Sequence, residues 1–87
     1  MDKIGIIERI RQLSTKKTEK MYLNDFLLTW DKTHDELEAV FEVAEILRGM
    51  RDNNISPRVF DSGLGVSIFR DNSTRTRFSF ASACNLL

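Results

Sequence analysis

The sequence predicts an α/β fold in which helices lead into the first strand of a parallel sheet. Three observations carry that expectation. A capped amphipathic helix begins at Thr33, a short apolar β-prone run occupies Val66 to Phe69, and another helix opens just after it at Ser73. Strand, turn and helix in that order form the opening of a parallel crossover unit.

Taken in order, Ile4, Ile7, Ile10 and Leu13 recur at helical spacing between charged residues and predict an amphipathic helix over residues 3–17, weakened by Gly5. Lys16, Lys17, Glu19 and Lys20 make a charged connector, and Met21 to Trp30 reads as a packed connection or short extended piece. Thr33-His34-Asp35-Glu36 is a capping box, with acidic residues suited to the positive end of the helix dipole. Leu37, Val40, Phe41, Ala44 and Leu47 then follow at helical spacing, Arg48 and Arg51 fall in the last turn, and Asp52-Asn53-Asn54 ends the helix. Ser56-Pro57 and Asp61 to Gly65 punctuate a loop before the strand at Val66 to Phe69. The final helix, from Ser73 to Leu87, places Phe80, Cys84 and Leu87 on one face. One strand has no partner of its own, so the pattern implies the opening piece of a larger α/β domain.

At 87 residues the chain fits one small domain with a thin core. Apolar residues at 41% and charged residues at 30% place it among soluble globular sequences and away from low-complexity disorder. Thirteen basic and thirteen acidic side chains cancel, which gives no global attraction to nucleic acid or membranes. The balance is local instead. Residues 58–87 carry Arg58, Arg70, Arg75 and Arg77 against only Asp61 and Asp71. Cys84 is the only cysteine, so no intramolecular disulfide scaffold forms. No apolar run approaches the ~20 residues of a membrane span, the N-terminus is not a secretory signal, and a cytoplasmic location is expected.

The chemistry concentrates in Phe69 to Phe80, FRDNSTRTRFSF. With Ser73 at the N-cap, the amides of Thr74, Arg75 and Thr76 lack partners within the helix and point outward, the geometry of an anion site. The hydroxyls of Ser73, Thr74 and Thr76 add donors, and the Arg75 guanidinium can fork onto two phosphate oxygens. Arg75 and Arg77 diverge by roughly 200° around a helix, so only one faces such a ligand, and Arg75 is nearer the helix end. Arg77 then pairs with a carboxylate or packs its stem. On spacing alone, a plain N-cap with solvated arginines stands level with the anion site. A phosphorylation site at Ser73 or Thr74 is nonspecific, and an RNA surface built on Arg70, Arg75 and Arg77 with Phe78 and Phe80 is weaker, because the aromatics hold core-like positions. Gly63-x-Gly65 lacks the other residues of a phosphate loop. His34 reads as a solvated first-turn residue and no metal is expected. Cys84 and Trp30 read as packing residues.

Ser73-Thr74-Arg75-Thr76-Arg77 resembles the signature of the aspartate and ornithine carbamoyltransferases. The surrounding pattern, DFLLTW (Asp25 to Trp30), SGLG (Ser62 to Gly65) and FRDNSTRTRFS (Phe69 to Ser79), is similar to that of the YgeW-type knotted carbamoyltransferases. The resemblance implies that residues 1–87 are the truncated N-terminal part of a carbamoyl-phosphate-binding domain, with the amino-acceptor domain absent. It implies that Ser73, Thr74, Arg75 and Thr76 bind the phosphate of carbamoyl phosphate. Arg75 would be catalytic, stabilising charge on the departing phosphate, and Arg77 structural. No cofactor is implied. The partners implied for a full-length protein are carbamoyl phosphate and an amine or amino acid acceptor, in a homotrimer or hexamer, without nucleic acid or membrane. Asp71-Asn72 stands where the aspartate enzymes have Glu-Pro, which leaves the acceptor open. The family's His-Pro-x-x-Gln and His-Cys-Leu-Pro segments are not among these residues, so an inactive fragment or interaction module keeping the phosphate signature is the alternative reading.

Overall fold

A computed structural model of the chain describes residues 1–70 and 72–87, in two compact units, Met1–Ile55 and Ser56–Leu87. The first unit pairs helix α1 (Lys3–Leu13) with helix α2 (His34–Asp52) through a connection holding short 3-10 turns at Glu19–Met21 and Thr29–Asp31. Their direction is antiparallel. Met1 meets Asn53 at one end, Arg9 pairs with Glu42 at 3.2 Å in the middle, and the Lys17 amide donates to Asp35 at 3.1 Å at the other.

Local chemistry sets the helix ends. The Asp2 carboxylate accepts the Gly5 amide at 2.8 Å and starts α1. The helix stops at Leu13 rather than at residue 17, and the Ser14 and Thr15 hydroxyls donate back to the Arg11 and Gln12 carbonyls at 2.6 and 2.7 Å. Such back-bonds compete with the helical ladder. Both arms of the predicted capping box form at α2, with the Glu36 amide donating to Thr33 Oγ1 at 3.2 Å and the Thr33 amide to Glu36 Oε1 at 2.8 Å. Removing the hydroxyl in Thr33→Ala costs about 0.5–2 kcal/mol by the usual scale of N-caps.

The faces that meet differ from those the periodicity nominated. Ile6 of α1 and Ala39 and Ile46 of α2 are the buried apolar residues, while Ile4 is 77% exposed and Phe41 71%. Val40, Phe41 and Ala44 face away from the contact. Ala39 and Gly49 are small enough for the axes to approach closely, which a row containing Phe41 would prevent. The connection is not packed as expected either. Tyr22, Leu23, Leu27 and Trp30 are exposed, and Leu23 adopts a left-handed backbone at φ 59°.

Carboxylates of α2 tie the hairpin together. Glu38 accepts from Lys16 Nζ through one oxygen and from His34 Nε2 at 2.7 Å through the other. The Lys16 bond foremost holds Glu38 below the usual carboxylate range, and the Thr33 amide does the same for Glu36. Depressed folded-state values mean that this stabilisation is complete above the unfolded carboxylate pKa of about 4.3 and lost as the pH falls through the folded values. Thermal melts of the hairpin should therefore fall below about pH 4.5, with a smaller fall in Glu38→Gln. An identical acid profile in that variant would refute the assignment.

In the second unit, helix α3 (Thr74–Leu86) is preceded by a segment that doubles back along it. The amides of Val59 and Phe60 donate to the Leu87 carbonyl at 2.8 and 2.9 Å, Gly65 lies against Cys84 and Phe80, and Phe69 lies beside Arg77. Val66 to Phe69 therefore runs antiparallel to α3, but it is not a strand. Among the described residues all regular structure is helical, so the expected α/β class with the first strand of a parallel sheet is corrected to helices alone. A strand is defined by the neighbour that takes its amides and carbonyls, and none pairs with this run among the described residues. Val66 and Ile68 are 69% and 92% exposed, not the largely buried pair expected.

Candidate functional site

The first turn of α3 gathers Ser73, Thr74, Arg75 and Thr76. Ser73 is the N-cap, half-buried, at φ −142° and ψ 56°, and its hydroxyl makes no capping bond. The first rung of the helix is the Arg77 amide donating to the Ser73 carbonyl at 2.8 Å. The amides of Thr74, Arg75 and Thr76 precede that rung, and no side chain among the described residues caps them. Helices α1 and α2 differ, since Asp2 and Thr33 supply side-chain oxygens to theirs. An open helix start forgoes about 1 kcal/mol of capping and leaves its donors available to an anion.

Charge points the same way. The first turn of α2 holds Asp35 and Glu36, whereas that of α3 holds no acid. Thr74, Arg75 and Thr76 are exposed, and Arg75 forms no ion pair among the described residues. The Arg75 carbonyl accepts the Ser79 hydroxyl at 2.9 Å, a side-chain back-bond one turn along the helix. Arg77 is differently placed, with its guanidinium 5.2 Å from the centroid of the Phe69 ring. Such a cation–π contact contributes about 0.5–1 kcal/mol at exposed sites. The structure therefore separates the two arginines, one open beside the helix start and one on an aromatic ring. Asp71, part of the Asp71-Asn72 departure noted above, lies outside the described residues.

Three side chains set aside on sequence grounds are placed as follows. His34 is exposed and bonded to Glu38. Cys84 is exposed rather than buried, and Trp30 is 78% exposed. The residue that sequence reasoning missed is Gly65, taken as loop punctuation. A Cβ built there would come within 2.6 Å of Cys84 Sγ and 3.5 Å of Phe80 Cζ. Its signal was available, because a glycine next to a strand-like run often marks the close approach of another backbone or helix. Gly65→Ala should destabilise the docking of this segment by about 1–3 kcal/mol, the usual cost of overpacking, and Cys84→Ala should recover most of the loss. Additive effects in that double-mutant cycle would contradict the contact.

The family described as "Aspartate/ornithine carbamoyltransferase, carbamoyl-P binding domain" matches residues 24–87, which include this helix start. The chain is 57% identical over 82 residues to the Escherichia coli (strain K12) protein named "Putative carbamoyltransferase YgeW", covering 94% of this chain and 20% of that one. It is 33% identical over 69 residues to "Aspartate carbamoyltransferase 1, chloroplastic" of Pisum sativum, covering 79% of this chain and 18% of that one. The chain thus spans about a fifth of the length of the curated relatives it matches.

Proposed function

The chain belongs to the aspartate/ornithine carbamoyltransferase family, and from that premise we propose that the first turn of α3 holds the phosphate of carbamoyl phosphate. The observation that carries the reading is a helix start that no side chain among the described residues caps, with no acid in its first turn and with Arg75 in it, inside the segment matched to a carbamoyl-phosphate-binding domain. In this assignment the amides of Thr74, Arg75 and Thr76 and the hydroxyls of Ser73, Thr74 and Thr76 donate to phosphate oxygens. The Arg75 guanidinium adds a charge-assisted fork.

Residues 1–87 are read as part of that domain, none of them assigned to the acceptor. In a full-length protein, the acceptor nitrogen attacks the carbonyl carbon, a C–N bond forms, and the C–O bond to phosphate breaks. Negative charge grows on the departing phosphate, and Arg75 is the fixed positive group beside it. Preorganised charge of this kind contributes most when it meets the transition state rather than the ground state. The acceptor is an amine or amino acid, and the assembly is a homotrimer or hexamer.

Competition tests the phosphate assignment. Inorganic phosphate should displace carbamoyl phosphate from the chain at a single shared site, read by phosphorus NMR line width, whereas acetate at equal ionic strength should not. Carbamoyl phosphate binding that ignores inorganic phosphate would refute it.

A further inference from the structure

Two glycines interrupt the paired helices, Gly5 in α1 and Gly49 in α2. A helical glycine costs about 0.8–1 kcal/mol relative to alanine, so a pair of them calls for a packing reason. Both border the same side chain. A Cβ at Gly5 would come within 3.2 Å of Met1 Cγ, and one at Gly49 within 2.9 Å of Met1 Sδ. The Met1 thioether therefore lies in a notch that the two glycines leave open. Ile6, 4% exposed, borders the same notch, with its Cγ1 3.3 Å from the Gly49 position. Asn53 Nδ2 donates to the Met1 carbonyl at 2.6 Å and to the Gly49 carbonyl at 2.7 Å, and so clasps this stretch onto the end of α2. Asp2, the next residue, caps α1.

We infer that Met1 is an oxidation-sensitive latch on the α1–α2 pair. It is exposed, at 49%, whereas Met21 and Met50 are half-buried, so a peroxide meets Met1 first. In the reaction a hydroperoxide transfers one oxygen to the thioether sulfur. The sulfur is oxidised to the sulfoxide, the O–O bond breaks, and hydrogen peroxide is reduced to water. The product is larger and carries a strong S–O dipole, and with Gly49 and Ile6 packed against the sulfur the added oxygen has to turn to solvent, which draws the sulfur out of the notch. The side chain leaves, Asp2 loses its anchored neighbour, and the start of α1 frays.

The test uses the full 87-residue chain with hydrogen peroxide as the probe. Peptide mass spectrometry locates the sulfoxide, and hydrogen exchange follows the amides of α1. Met1 should oxidise before Met21 and Met50, and the amides of Gly5 to Arg9 should then exchange about 5- to 30-fold faster, the range that one or two kcal/mol spans. Chain made with norleucine at all methionine positions keeps a hydrocarbon of similar shape in the notch and should show no peroxide response. Methionine sulfoxide reductase should restore the slow exchange of the oxidised natural chain. Met1 sulfoxide with unchanged α1 exchange would overturn the inference, as would prior oxidation of Met21 or Met50, or an equal response in the norleucine chain.

Discussion

Arg75→Ala should weaken binding of carbamoyl phosphate or inorganic phosphate by about 10- to 150-fold. The estimate takes one charge-assisted interaction at about 1.5–3 kcal/mol and tenfold in Kd per 1.4 kcal/mol. It rests on Arg75 standing exposed beside an open helix start with no ion pair among the described residues. Arg75→Lys should recover only part of the loss, since an ammonium keeps the charge but not the fork. Arg77→Ala is the informative contrast. Its guanidinium is on the Phe69 ring and about 200° away around the helix. That variant should bind phosphate near the natural affinity while loosening the segment that packs on α3. Equal losses of affinity in the two alanine variants, measured by calorimetry at fixed ionic strength, would remove the distinction between them.

Ile6→Ala should bring the larger change in stability. Ile6, Ala39 and Ile46 are the buried core of the α1–α2 pair, and Ile6 also fills the space above Gly49. Truncating a buried isoleucine costs about 2–5 kcal/mol, and small domains hold only about 5–15 kcal/mol in total. Ile4→Ala, at a position 77% exposed, should change stability by no more than about 0.5 kcal/mol. Denaturant melts of the two variants decide between the observed contact and the face that spacing alone would choose. A larger loss in Ile4→Ala would reverse the assignment.

That pair of substitutions also shows where sequence reasoning succeeded and where it stopped. The start of α2 was legible because Thr33 and Glu36 satisfy each other's backbone within one turn, with no help from elsewhere. The start of α3 at Ser73 was legible for the same reason, since a helix start is local. Which face of a helix is covered is not local. Both α1 and α2 carry more than one apolar arc, and the partner selects the arc with the small residues Ala39 and Gly49. Val66 to Phe69 failed as a strand on the same principle, because β-propensity describes a residue and pairing describes a neighbour. Cys84 and Trp30 were placed inside on residue type alone, and neither is buried by the described residues.

Amide chemical-shift mapping during a carbamoyl phosphate titration locates the anion on the chain. The starts of α1 and α2, capped by Asp2 and Thr33, serve as internal controls for the start of α3, which no side chain among the described residues caps. Saturable shifts are expected at the amides of Thr74, Arg75 and Thr76, with the capped amides of Gly5 and Glu36 unmoved. Saturation at Gly5 or Glu36, or binding that leaves Thr74 to Thr76 unshifted, would contradict it.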